Sequence, residues 1–254
     1  MADQTEKSES QAFKELAEGL KACRRCQELF GFEPRPIQWG SEQARVMLIS
    51  QAPGIKVHEL GRPFADLSGK KLRQQWLYVT EEQFYNPDLF YFSQAGHCYP
   101  GRDPKGGDKK PPKCCWTLWS SREVELLKNV ELYIVIGAEA ASRVFPGRSL
   151  EELVFSDLTL QGKPCFVLPH PSPLNYRWPR NHPEFGETRL PALRKKLYEI
   201  QGFSKEQMER FEAGQVPKKE SWQLEKKPGT KPAKDLDKAS ETKAAKTRPA
   251  ADAD

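Results

Sequence analysis

The sequence predicts an α/β fold, a three-layer α/β/α sandwich around a central, mainly parallel four-stranded sheet. Three observations predict it. Four short apolar runs recur along the chain, Val46 to Ile49, Leu89 to Phe92, Leu132 to Ile136 and Cys165 to Leu168. None alternates with polar residues, as strands buried on both faces do not. Stretches of helical apolar spacing separate them, which is the pattern of a sheet covered on both sides.

The elements follow in order. Met1 to Gln11 is polar and is expected to be disordered. Phe13, Leu16, Leu20 and Cys23 recur at helical spacing, so a helix should end near Cys23-Arg24-Arg25-Cys26. The first strand runs into Pro53-Gly54, and a helix is expected over Lys70 to Tyr78. Thr80 and Gln83 have the spacing of a capping box. After the second strand, Gly96 to Pro112 is rich in Gly, Pro and charge and reads as a loop. Val124, Leu127 and Val130 mark a helix before the third strand, Ala138 to Phe145 the next, and Arg189 to Ile200 the last. The domain should span residues 12–203. Residues 204–254 read as a disordered tail rich in Lys, Ala, Asp and Pro, with too little apolar surface to order itself. It is either a solubilising extension or a flexible basic arm that raises affinity for nucleic acid.

Composition narrows the classes. The chain has 254 residues, 37% of them hydrophobic, and a formal net charge of +5. No apolar run has the length of a membrane span, so no membrane partner is expected. The N-terminus lacks an apolar signal core, which points to the cytoplasm. Six cysteines in a reducing compartment suit metal binding or catalysis better than disulfides. The basic balance permits nucleic acid as a partner without demanding it.

In a parallel sheet, ligands bind beyond the carboxyl ends of the strands. Ser50 to Gly54, Ser93 to Cys98 and Pro169 to Asn175 all lie there and should converge. Gly54 and Gly61 permit close approach of backbone to ligand. Phe64 offers a flat face for a base, although its local residues alone read rather as an ordinary core aromatic. His170 is fenced by Pro169, Pro171 and Pro173. Prolines stiffen the backbone on both sides, which preorganises the imidazole as a hydrogen-bond donor toward developing negative charge. Cys23-x-x-Cys26, Cys98 and one of Cys114 or Cys115 make a four-thiolate set for an iron–sulfur cluster or zinc. Cys165, inside a strand, reads as a small apolar filler.

Five pieces together resemble one family. Cys23-x-x-Cys26, Gln51-Ala52-Pro53-Gly54, Gly61-Arg62-Pro63-Phe64, Cys98 with Cys114 or Cys115, and His170-Pro171-Ser172-Pro173 resemble the uracil-DNA glycosylases of the iron–sulfur branch, in order and at similar spacing. The resemblance implies an enzyme that flips uracil out of single- or double-stranded DNA and hydrolyses its N-glycosidic bond, acting as a monomer with a structural 4Fe-4S cluster. It implies that Cys23, Cys26, Cys98 and Cys115 hold the cluster, Cys115 being preferred for its match four residues before Trp119. It implies that Phe64 stacks on the base, that the backbone at Gln51 and Ala52 meets a uracil carbonyl, and that Gln94 reads the pairing edge. His170 would donate to uracil O2, Ser172 and Asn175 would belong to the same motif, and Leu174 would be the wedge. Two positions depart from the family. Gln51 stands where a glutamate is usual, and it can orient a water but cannot act as a carboxylate base. Gln94 replaces an asparagine and reaches farther. The first departure keeps open a DNA-binding or damage-sensing protein with little glycosylase activity. A zinc-stabilised nucleotide-binding module is a third reading.

Overall fold

The structure, a computed structural model, describes residues 2–31 and 33–203 together with Glu206 and Glu209. Five strands form one sheet: β1 (Val46–Ser50), β2 (Phe90–Gln94), β3 (Leu132–Ile136), β4 (Leu158–Leu160) and β5 (Lys163–Leu168). Their order is β2-β1-β3-β5-β4. β1 pairs parallel with β2 and β3, and β3 with β5. All five residues of β1, β2 and β3 are buried, which is why these runs are continuously apolar.

The sheet has one strand more than the sequence predicts. β4 is a three-residue, half-exposed edge strand antiparallel to β5, too short and too polar in setting to show a pattern. Its one signal is the two-residue turn Gln161-Gly162. Both residues have positive φ, 50° and 72°, as a hairpin turn of type I′ requires. The opposite edge, β2, is covered by an antiparallel bridge from Trp39 to Phe92.

Most expected helices are present with small shifts. Thr80 and Gln83 form both hydrogen bonds of the capping box that opens Glu81–Phe84. The helix expected from Lys70 begins earlier, at Leu67, because Asp66 caps it by accepting from Gly69 N at 2.9 Å. It continues as a π-helical turn over Leu72–Leu77 and stops at Tyr78, whose φ of 52° is left-handed. The last helix is Leu190–Gln201, ended by left-handed Gly202. The first helix differs most. It runs from Ala2 to Ala22, where the sequence places a disordered N-terminus up to Gln11. Ala, Glu, Lys and Gln are good helix formers, so composition favours extending the helix toward the N-terminus. Its apolar face seats Leu16 and Leu20 in the core and Phe13 against Tyr91. The expected tail lies outside the described residues, apart from Glu206 and Glu209. Among the described residues no helix is long and apolar enough to cross a membrane.

The chain passes from β1 to β2 on one side, then crosses back to β3 on the other. The direction of winding therefore reverses at β1, and a crevice opens beyond the carboxyl ends of the strands there.

Candidate active site

A cleft of about 350 Å³ occupies that crevice. Gln51, Ala52, Phe64, Gln94, His170 and Ser172 all line it, so three segments distant in sequence meet as expected. The turn after β1 is tied to the exit of β2 by Ala95 N to Ser50 O (2.7 Å) and Gly96 N to Gln51 O (3.0 Å).

His170 is fixed from its own loop. The Ser172 backbone N–H donates to its Nδ1 at 3.1 Å. An Nδ1 that accepts must be unprotonated, so the neutral ring carries its proton on Nε2. Burial lowers the imidazole's pKa, and the carboxylates of Asp66 and Asp108 only partly oppose this. The ring packs on Gly137, just past β3, where an added Cβ would lie 3.4 Å from His170 Cδ2. The loop itself is locked by Asn175 Nδ2 donating to the His170 carbonyl (3.0 Å) and Asn175 N to Ser172 O (2.9 Å). Asn175 thus shapes the loop and is not among the cleft-lining residues. Leu174 stands outside the cleft with 89% of its surface exposed.

Phe64 is half-buried and lies in the left-handed region at φ 53°, uncommon for a residue with a side chain. Several contacts impose this. Arg73 Nη1 donates to its carbonyl (3.1 Å), and its ring packs on Phe84 and Phe92 at 5.9 and 5.6 Å. Gly69 lies so close that a Cβ there would come 1.8 Å from the Phe64 carbonyl oxygen. Tyr85 holds the preceding residue by donating to Pro63 O at 2.7 Å, and Arg62 lies 3.7 Å over the Tyr85 ring.

Gln94 is 3% exposed. Its Nε2 donates to Ile37 O at 3.4 Å, and its carbonyl accepts from Ser120 Oγ at 2.5 Å. Beneath it lies a polar network that the sequence does not announce. Glu123, fully buried, accepts from Tyr91 (2.7 Å) and Ser93 (2.5 Å) and faces His97 Nε2 at 3.3 Å. Burial opposes both charges, but their attraction prevails: the Glu123 carboxyl is held below its usual range and the His97 imidazole above its own. Removing one partner of such a pair costs about 3–5 kcal/mol, so the network fixes the strand that carries Gln94.

Two carboxylates missed in the sequence also line the cleft, Asp66 and Asp108. Asp66 serves as the cap of the helix that begins at Leu67, earlier than the sequence predicts. Asp108 reads as one charge in a loop of charges, and only the folding of that loop back over β1 brings it to the site.

The cysteines meet at a second, smaller pocket, lined by Cys23, Cys26, Cys98, Cys114 and Cys115. The His97 N–H points at Cys115 Sγ, 3.4 Å away. Burial, then the neighbouring Cys114 and Cys23, raises the pKa of the Cys26 thiol. Burial, then the neighbouring cysteines, pushes the Cys98 thiol up to about 12; burial does the same to Cys115. Among the described residues no three donors stand in a ready metal-holding arrangement. What fits a soft metal group is the donor chemistry, five sulfurs on one pocket. Cys165 is buried in β5, apart from them, as a filler.

Exposed basic side chains lie on two segments that flank cleft-lining residues in sequence: Arg102, Lys105, Lys109 and Lys110 on the loop after β2, and Arg177 and Arg180 beyond the histidine loop.

The profile of the uracil DNA glycosylase superfamily matches residues 37–194. The match contains the whole sheet and every residue lining the cleft; Cys23 and Cys26 precede it. Well over half of the 254 residues are covered, and the chain belongs to the uracil-DNA glycosylase superfamily.

Proposed function

We propose that the protein is a DNA base-excision glycosylase that flips uracil out of single- or double-stranded DNA and hydrolyses its N-glycosidic bond. The observation that carries this reading is the fixed state of His170: a neutral ring whose Nδ1 is occupied by Ser172, so that Nε2–H remains to donate. That donor lines one cleft with Phe64 and Gln94. The reacting carbon is inaccessible in stacked DNA, so the nucleotide must leave the helix. Phe64 stacks on the extruded base, and the exposed Leu174 wedges into the gap it leaves. Gln94 both donates and accepts along the pairing edge. As the bond from C1′ to N1 breaks, negative charge collects on uracil. His170 Nε2–H binds O2 of the departing anion, a contact that strengthens only as the charge appears. The exposed basic residues of the two flanking segments hold phosphates, which makes binding fall steeply with salt.

Cys23, Cys26, Cys98 and Cys115 would hold a 4Fe-4S cluster. When bound, such a group supplies a covalent tie between the N-terminal helix, the exit of β2 and the helix at Lys113–Cys115. The chain's own residues carry the chemistry.

Base release tests the reading. Oligonucleotides bearing a single uracil, hypoxanthine or oxidised pyrimidine, single- and double-stranded, are incubated with excess protein and the abasic sites are cleaved with alkali. Strand cleavage at uracil is expected. Tight binding to uracil DNA with no release of any base favours instead a damage-sensing protein, the reading that Gln51 supports by lacking a carboxylate.

A further inference from the structure

The reaction needs a water at C1′, and Gln51 cannot take that water's proton. The cleft nevertheless holds two carboxylates that no sequence motif announces, Asp66 and Asp108. Their settings differ. Asp66 is held on the Phe64 side, where its Oδ1 accepts from Gly69 N and starts a helix. Asp108 comes from the loop after β2. Its Oδ2 lies over the turn after β1, 3.7 Å from the point a Cβ on Gly54 would occupy. Burial, then the nearby Asp108 carboxylate, raises the pKa of the Tyr99 hydroxyl, so the two side chains are neighbours.

The loop that bears Asp108 is braced over the cleft. Asp103 N bonds Gly107 O at 3.0 Å and Lys109 N bonds Gly101 O at 2.9 Å. Lys110 reaches Glu139, just past β3, at 3.4 Å. The same loop carries exposed basic residues suited to phosphates. With phosphates on this loop and the base on Phe64, the sugar would lie between them, within reach of Asp108.

Resting on the glycosylase reading above, we propose that Asp108 is a catalytic residue that orients the attacking water and accepts its proton, in the role that Gln51 cannot fill. The water oxygen forms the new bond to C1′. The bond from C1′ to N1 breaks, and its electron pair leaves with uracil as an anion held by His170. The water's proton passes to Asp108, then to solvent or the departing base. The products are an abasic sugar and uracil. The negative charge of Asp108 also stabilises the positive charge that develops on the sugar. Gln51, on the turn beneath, orients the same water.

Asp108→Asn tests this, because asparagine keeps the shape and removes the charge and the basicity. Single-turnover uracil release and DNA affinity are measured for the full chain, for Asp108→Asn and for Asp66→Asn. Asp108→Asn is expected to slow release about a hundred- to ten-thousand-fold, the usual worth of a positioned acid–base group. DNA affinity should hold or rise, since a negative charge near phosphates is gone. Asp66→Asn should cost far less. An active wild type with an equally active Asp108→Asn overturns this inference alone, as does a loss that falls on Asp66→Asn instead. A wild type that releases no base overturns the glycosylase reading and this inference with it.

Discussion

The Ser172 backbone N–H donates to Nδ1 of His170 at 3.1 Å. Two residues of one loop thereby choose the tautomer of the ring. The proton left on Nε2 is the one that a departing base requires, and proline on both sides removes the backbone freedom that would blur its aim.

The pH dependence of release follows from that ring. Burial lowers the His170 pKa below the usual 6.5, while Asp66 and Asp108 oppose the shift. The folded protein therefore holds the ring neutral where the unfolded chain would protonate it. The stabilisation this represents is present above pH 6.5 and is lost as pH falls through the lowered folded pKa. Protonation also puts a hydrogen on Nδ1, facing the Ser172 N–H. The acid limb of single-turnover release assigned to His170 should lie below pH 6.5. A limb above 6.5 that disappears in a His170 variant contradicts a neutral, buried ring.

Gly69→Ala should damage Phe64 without touching it chemically. The new Cβ would fall 1.8 Å from the Phe64 carbonyl oxygen, so backbone must shift. Overpacking of this kind costs about 1–3 kcal/mol. Phe64 already sits at φ 53° and is held there by its neighbours. Denaturant unfolding should show the stability loss, and release should fall with weaker capture of uracil DNA. Wild-type stability and release would mean that the close contact at Gly69 does not constrain Phe64.

The cysteine pocket divides the six thiols. Anaerobically purified protein should absorb in the visible and contain about four irons per chain. Cys23→Ser and Cys115→Ser should remove colour and stability together. Cys165→Ser, which alters only a thiol inside β5, should keep the colour. Cys114→Ser decides between the adjacent pair, since both line the pocket and Cys115 takes the His97 N–H. Stoichiometric zinc in colourless, stable protein contradicts the cluster.

What the sequence discloses and what it hides divide along physical lines. β1, β2, β3 and β5 are legible because burial on both faces makes them continuously apolar. β4 is not, because a three-residue edge strand buries one side of a hairpin and little else. His170 is legible as a proline-fenced residue at a strand exit, while Phe64 and Gln94 are singled out only through the family resemblance. Asp108 is not, because its loop looks like a solvated charged segment until Lys110 reaches Glu139 and the fold lays Asp108 beside Gly54. Glu123 is hidden for a different reason. It sits on a helix among polar residues, and its partners Tyr91, Ser93 and His97 are some thirty residues earlier.

The central claim is that His170 stabilises the departing base, and single-turnover uracil release by His170→Ala tests it most directly. The donor acts only on charge that appears as the bond breaks, so its loss should slow the chemical step and leave DNA binding nearly unchanged. Removing one preorganised donor costs about 2.7–4 kcal/mol, roughly a hundred- to thousand-fold in rate. Phe64→Ala is the contrast, since stacking acts before chemistry and its loss should weaken capture as well. The account predicts a His170→Ala protein that binds uracil DNA like wild type and releases base at least a hundred-fold more slowly. Full single-turnover release by His170→Ala would contradict it.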